Sequence, residues 1–159
     1  MFVNIRYQCF YLFFRPFIFK NGAEPQDKFM VVLGLDTNGN MVLASLPTSK
    51  DHVPSDIDVE SGCIDLAERQ VNVFVFKEGE CIVEPNGMRQ TAFAFDVNTF
   101  IYGSDLDTYP ISTFQQQISC GETNVTLIGK LSDELLVSLI DCLKKSKMVK
   151  NKFKRLIVS

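Results

Sequence analysis

Apolar residues along this chain fall mainly into short runs separated by turn-forming residues. The aromatic run over 7–20 is broken at Pro16, which predicts a strand with an edge or bulge at the proline. The apolar run over 29–35 predicts a buried strand, and the Asn-Gly turn after it predicts a hairpin into a second strand over 41–46. Further short apolar segments occupy 62–64, 71–76, 81–83, 91–95, 99–102 and 123–129. Strands this frequent, joined by short turns, favour a small barrel or sandwich over a βαβ sheet.

A helical periodicity begins nearer the C-terminus. Leucine and isoleucine recur at spacings of three and four residues, which predicts an amphipathic helix over about 132–145. Ser132 is a suitable N-cap, acidic residues occupy the first turn and lysines gather at the end. We expect Leu136, Leu139 and Leu143 to be buried and the helix to cover one mouth of the barrel.

The predicted fold class is therefore mainly β with one amphipathic C-terminal α-helix. A length of 159 residues, 46% apolar and 22% charged, suits one hydrophobic core. We expect a single domain over 1–159, with the barrel over about 7–129 and a basic C-terminal segment over 144–159.

Charge is divided unevenly along the chain. Residues 1–143 carry nine Lys or Arg against 19 Asp or Glu, a net charge of −10. The basic C-terminal segment has no acidic residue and seven basic ones: Lys144, Lys145, Lys147, Lys150, Lys152, Lys154 and Arg155. An acidic body with a basic end can meet nucleic acid, an acidic partner or its own body. The plainer interpretation is a solvated helix end that complements the helix dipole.

Cysteine usage and the N-terminal apolar run bear on the compartment. The five cysteines are widely spaced without a C-x-x-C pair, which favours neither a zinc site nor a disulfide framework. They are Cys9, Cys63, Cys81, Cys120 and Cys142. The run over 9–14 is interrupted by Arg15-Pro16 and falls short of the roughly 20 residues of a membrane span. We expect reduced thiols, a cytoplasmic location and no membrane partner, with export as the alternative.

Motifs of the common catalytic classes are missing from the sequence. It has no Gly-rich phosphate loop, H-E-x-x-H, G-x-S-x-G or metal-spaced histidines, so we expect no metal and no cofactor. The single histidine, His52, lies in a predicted loop beside Asp51. An unperturbed imidazole pKa near 6.5 suits proton transfer at neutral pH, although a solvated surface histidine is the commoner case.

Three stretches of the chain carry a family resemblance. The order of a loop, 27–33 (DKFMVVL), a hairpin and 46–49 (LPTS) resembles the first half of the MazF/PemK toxins of bacterial toxin-antitoxin pairs. The stretch 129–132 (GKLS) before an amphipathic helix extends the likeness, whereas 53–109 has no clear counterpart. The resemblance implies a strongly curved, SH3-like barrel of five to seven strands that dimerises, cleaves RNA without a metal and is neutralised by a cognate antitoxin.

The candidate site combines the positions matched by this resemblance, Lys28, Thr48 and Ser49, with residues suited to the chemistry. Lys28 stands where the family has an arginine that assists cleavage; lysine keeps the charge but loses the planar fork that grips phosphate. Metal-free cleavage uses the 2'-hydroxyl of the RNA as nucleophile and needs proton-transfer groups and donors to the phosphorane. We assign these tasks to Lys28, Thr48 and His52, and substrate binding to Arg15, Ser49 and Lys50. The hairpin should bring Lys28 and Thr48 to the same edge.

Two functional hypotheses follow from these observations. The first is an endoribonuclease toxin whose partners are single-stranded RNA, an antitoxin and a second copy of the chain. The second is a catalytically silent SH3-like barrel that binds protein, for which Lys28 is a strand-edge residue and Thr48-Ser49 an ordinary loop cap. The acidity of 53–109 makes a poor surface for RNA and favours the second hypothesis.

Overall fold

A computed structural model describes residues 10–83 and 93–157 of the protein. The largest sheet has five strands. Its strands are β1 (Phe10–Phe17), β2 (Gln26–Leu35), β3 (Met41–Ser45), β9 (Asp107–Pro110) and β10 (Asn124–Lys130). They pair antiparallel in the order β10-β1-β2-β3-β9, so the predicted β2–β3 hairpin is confirmed. The register between β1 and β2 shifts between Phe14 and Phe17, which is the irregularity predicted at Pro16.

Two smaller antiparallel sheets complete the β-structure. One contains β4 (Gly62–Leu66), β5 (Val71–Phe76) and β8 (Thr99–Tyr102) in the order β4-β5-β8, and the other pairs β6 (Cys81–Val83) with β7 (Phe93–Ala94). The protein is therefore mainly β, as predicted. The described residues form ten strands rather than five to seven, because several pairings involve only two to five residues per strand.

Three α-helices accompany the sheets within the described ranges: α1 (Ile111–Ser119), α2 (Asp133–Lys145) and α3 (Asn151–Lys154). The predicted C-terminal helix is α2, and the Ser132 hydroxyl accepts a hydrogen bond from Leu135 N at 3.4 Å as its N-cap. Leu139 and Leu143 are fully buried, as expected, but Leu136 is only half-buried because it lies at the margin of the apolar face. The prediction of a single helix was wrong, since α1 and α3 are additional.

Apolar side chains cover both faces of the five-stranded sheet. On one face, Met30 and Val32 of β2 join a cluster that includes Ile111 and Phe114 of α1. On the other face, neighbouring β2 side chains such as Val31 join the largest cluster, which also draws on β5, β8, α2 and the chain after α2. Successive residues of a strand point to opposite faces, so β2 contributes side chains to both clusters. This is why its sequence is a continuous apolar run rather than an alternating one.

A disulfide joins Cys63 on β4 to Cys142 on α2, with their Cα atoms 5.6 Å apart. The expectation that all thiols are reduced was therefore wrong for this pair. Spacing along the chain did not reveal the pairing because 79 residues separate the two cysteines, which meet only when α2 packs on the β4-β5-β8 sheet. Cys81 and Cys120 are free thiols, and Cys9 lies outside the described residues.

The chain after α2 docks on the body as a separate segment. Val149, Phe153 and Ile157 are buried in the largest cluster, and Ile157 forms an isolated β-bridge with Gly34 of β2. The basic C-terminal segment is thus anchored by apolar residues spaced along it. The turn predicted at Pro85-Asn86-Gly87 lies outside the described residues.

Candidate functional site

Lys28 lies near the start of β2, in register with Phe14 of β1, and is half-buried. It belongs to the same alternating set as Met30 and Val32, which face the cluster containing α1. Burial lowers the pKa of the Lys28 ammonium group from its usual 10.5, and the positive charge of Lys50 lowers this pKa further. The charge of Lys50, in the loop after β3, thus acts on the ammonium group of Lys28 at the start of β2.

Thr48 links the two larger sheets. Extending the observed register of Val31 with Ser45 along the hairpin would place residue 48 opposite Lys28, but β3 ends at Ser45. Thr48 instead forms an isolated bridge with Phe100 of β8, with N···O distances of 3.0 and 2.8 Å. Its hydroxyl accepts a hydrogen bond from Lys50 N at 3.2 Å. Thr48 is therefore paired with β8 rather than with Lys28 as expected, and Ser49 beside it is exposed.

Tyr102, at the end of β8, fixes the loop that carries Lys50 and His52. Its hydroxyl donates a hydrogen bond to Lys50 O at 2.7 Å and accepts one from His52 N at 2.7 Å. Burial raises the pKa of this hydroxyl above its usual 10.0, with smaller contributions from the carboxylates of Asp51 and Asp105. The hydroxyl is therefore protonated at neutral pH and can donate and accept at once.

The His52 side chain is exposed beside the Tyr102 ring, with the ring centroids 5.6 Å apart. The neighbouring Asp51 carboxylate accepts a hydrogen bond from Val53 N at 2.9 Å and caps the loop. The position of the imidazole is thus set by the backbone hydrogen bond to Tyr102 and by the contact with its ring. Tyr102 was not among the predicted site residues, although a tyrosine at the end of a predicted strand is a recognisable candidate for a site.

Arg15 lies away from this group. On β1 it follows Phe14, the register partner of Lys28, so it points to the opposite face of the sheet. Its guanidinium group is 3.7 Å from the Asp27 carboxylate and 5.9 Å from the Phe13 ring centroid. Hydrogen bonds join Thr48, Lys50, His52 and Tyr102, and the charge of Lys50 acts on Lys28; we call these five residues the lysine-tyrosine site, and Arg15 lies outside it.

The lysine-tyrosine site offers two ammonium groups, two hydroxyls and one imidazole. Paired cations attract a phosphate or phosphodiester, hydroxyls can donate to its oxygens, and an imidazole can transfer a proton. Across 10–83 and 93–157, no group of three or more His, Cys, Asp or Glu side chains is arranged to hold a metal ion. In the same ranges no helix has both the length and the apolar character needed to cross a membrane.

Comparison of the chain with models of known protein families, with curated proteins and with solved structures finds no match.

Proposed function

We propose that the protein is a MazF/PemK-like endoribonuclease that cleaves RNA at the lysine-tyrosine site. The observation that carries this proposal is the half-buried ammonium group of Lys28, whose pKa is lowered by burial and by the charge of Lys50. Two like charges that act on each other repel, and an anionic ligand between them relieves the repulsion. The phosphodiester of RNA is such an anion. RNA is also the substrate that the sequence resemblance implies.

The proposed reaction is a transesterification within the RNA. The 2'-oxygen loses its proton and attacks the adjacent phosphorus, the bond to the 5'-oxygen breaks, and that oxygen gains a proton. The products are a 2',3'-cyclic phosphate and a free 5'-hydroxyl. His52 transfers protons, while Lys28 and Lys50 stabilise the additional negative charge on the phosphorane and the Thr48 hydroxyl donates to a phosphoryl oxygen.

Tyr102 acts in this proposal as a positioning residue. Its hydroxyl holds the backbone of both Lys50 and His52, so it sets the spacing between the cation and the imidazole. A shift of about 1 Å in such groups is enough to lower a rate by about 100-fold. Removing the hydroxyl should therefore impair cleavage although the hydroxyl itself need not touch the RNA.

The barrel shape of the sheet and the assembly of the protein belong to the same proposal. We propose that the five-stranded sheet curls as an SH3-like barrel, for which the register shifts in β1 and β2 are supporting features because bulges bend strands. A homodimer and a cognate antitoxin complete the proposal as the family resemblance implies them, and the cytoplasmic location expected from the cysteine spacing belongs to it as well. The Cys63–Cys142 disulfide favours an oxidising compartment instead, so a thiol count on protein taken directly from cells tests the location.

The alternative proposal is a catalytically silent protein-binding module. The net charge of −10 over 1–143 favours it, since an acidic surface repels RNA. So does the ion pair that occupies Arg15, because an arginine engaged with Asp27 is less available for phosphate.

Cleavage of a long mixed-sequence RNA by the purified protein in the presence of a chelator tests the proposal. We expect Lys28→Ala, His52→Ala and Tyr102→Phe each to slow cleavage by about 10²-fold or more. Lys20→Ala is the matched control, because Lys20 is an exposed lysine paired with Asp107 outside the site, and it should cut like wild type. Intact RNA with wild-type protein, or equal cleavage by all variants, would replace the enzyme with the binding module. A gain on Lys28→Arg would support a weakened enzyme.

A further inference from the structure

The basic C-terminal segment presents its seven cations in a fixed frame. Ser146 and Val149 are buried within it, and the Ser146 hydroxyl accepts a hydrogen bond from Met148 N at 2.9 Å. Phe153 is buried in the largest cluster, and the segment ends on the bridge between Ile157 and Gly34. Its backbone is therefore held against the body at several points, unlike a free lysine-rich tail.

The charged groups of this segment face solvent. Five of the seven basic side chains are exposed and the other two, Lys144 and Lys154, are half-buried. Lys150 and Lys152 both lie over the ring of Phe153, with their Nζ atoms 5.7 and 5.1 Å from its centroid. The two ammonium groups are thus no more than about 11 Å apart and share one aromatic support.

Within 10–83 and 93–157, no ion pair joins the segment to the acidic body. The ion pairs between described residues join Arg15 to Asp27, Lys20 to Asp107, Arg69 to Asp56 and Lys130 to Asp133. All four involve cations that precede residue 144. Docking of the segment rests instead on its apolar residues, which leaves its charges available to a partner.

We infer that the basic C-terminal segment is a second anchoring surface for the sugar-phosphate backbone of single-stranded RNA. The inference rests on the proposed function in taking RNA as the polyanion. Concentrated, uncompensated cations on a fixed surface bind a phosphate backbone without sequence preference. The acidic body over 1–143 repels RNA, whereas the positive charges of the segment attract it.

The relation of the segment to the lysine-tyrosine site follows from β2. Gly34 pairs with Ile157 of the segment, and Lys28 lies six residues earlier on the same strand, about 20 Å away along the backbone, with its side chain on the face of the α1 cluster and the segment on the opposite face. Backbone contacts at the segment would then hold the RNA while the lysine-tyrosine site acts on one phosphodiester.

Binding is best measured with an RNA that cannot be cleaved. A fluorescent 2'-O-methyl oligonucleotide of about 16 nucleotides, the upper end of common single-strand site sizes, lacks the 2'-hydroxyl nucleophile. Anisotropy titrations at several salt concentrations give both the affinity and its salt dependence. The variant Lys147→Gln/Lys152→Gln removes two exposed charges of the segment, and Lys20→Gln/Arg69→Gln removes two charges from the body as the matched control.

We expect the segment variant to bind about tenfold more weakly at about 0.1 M salt, with a slope of log affinity against log salt that is smaller by about 1.4. The control should retain near wild-type affinity and slope. Equal losses in both variants would mean that only net charge matters and would overturn the inference, as would wild-type binding by the segment variant. Loss of binding to polyglutamate with RNA binding intact would also overturn it, in favour of an acidic protein partner.

The same experiment separates this inference from the proposed function. Wild-type protein that binds the 2'-O-methyl RNA through the segment but leaves unmodified RNA intact supports the anchoring surface and contradicts the enzyme. Unfolding of each variant followed by circular dichroism shows whether the substitutions leave the fold unchanged, which is expected because all four side chains are on the surface.

Discussion

Gly34 on β2 and Leu156 near the C-terminus meet backbone to backbone: a Cβ atom at Gly34 would lie 1.7 Å from the Leu156 carbonyl oxygen. Real atoms do not approach so closely, so either β2 or the C-terminal segment would have to shift. The docking of the segment therefore depends on the absence of a side chain at one position of the sheet.

Gly34→Ala should destabilise the protein by about 1–3 kcal/mol, as overpacking does, because the new methyl group displaces the segment. Urea denaturation measures the change. Deleting residues 156–159 removes the obstacle, so in the shortened chain the same substitution should cost well under about 1 kcal/mol. Equal costs in the two backgrounds would show that the contact with Leu156 is not the cause.

The apolar face of α2 gives a second prediction. Leu139 is fully buried in the largest cluster, whereas Val137 on the same helix is 59% exposed. Leu139→Ala should lower the free energy of unfolding by about 2–5 kcal/mol through the cavity that it leaves. Val137→Ala is the matched control and should change it by no more than about 0.5 kcal/mol. A loss below about 1 kcal/mol for Leu139→Ala would mean that this face is not core.

Elements with local signals were predictable from the sequence. The β2–β3 hairpin has an Asn-Gly turn between two apolar runs, and α2 has a serine N-cap with a regular apolar face, so neighbouring residues determine each of them. The helix α1 has only two buried residues, Ile111 and Phe114, and its glutamines hide the pattern. It forms because the sheet offers an apolar face that it can cover.

Only those site residues that lie close together along the sequence were predictable. Lys28, Thr48, Lys50 and His52 all lie around one hairpin, so their sequence positions alone place them in the same region. Tyr102 comes from a strand 50 residues beyond His52, and no local pattern indicates that its hydroxyl reaches back to this loop. The Cys63–Cys142 pair is hidden for the same reason, since contacts this distant depend on the tertiary fold.

The disulfide predicts a dependence of stability on reductant. Closing a loop of 79 residues restricts the unfolded chain and stabilises the folded protein by about 2–4 kcal/mol. Adding dithiothreitol, or replacing Cys63 by serine, should lower the free energy of unfolding by that amount. Cys120→Ser is the control, because Cys120 is an exposed free thiol, and it should leave stability and its response to reductant unchanged.

Tyr109 predicts a loss of stability in alkali. Burial raises the pKa of its hydroxyl to about 12, with a smaller contribution from the Asp107 carboxylate. Between pH 10 and this value the unfolded chain loses the phenolic proton and the folded one keeps it, so stability falls as pH rises. The ring is partly exposed, which reduces the effect to about 1–2 kcal/mol. Tyr109→Phe should show a correspondingly smaller decline in urea denaturation across this range, and an unchanged decline would exclude Tyr109 as its source.

Titration of Lys28 followed by NMR at its Cε and Nζ atoms tests the arrangement of the site directly. Burial is the larger cause of its lowered pKa and the charge of Lys50 the smaller. Lys50→Gln should therefore raise the pKa of Lys28 without restoring the usual 10.5. In the pH range between its lowered pKa and 10.5, the unfolded chain binds more protons than the folded one, so the stability contribution of Lys28 rises with pH. Relative to Lys28→Met, which has no charge to desolvate, the wild type should become more stable across that range. If the pKa of Lys28 in Lys50→Gln equals that in the wild type, the two ammonium groups are not neighbours. Binding of a phosphodiester between paired cations would then be contradicted.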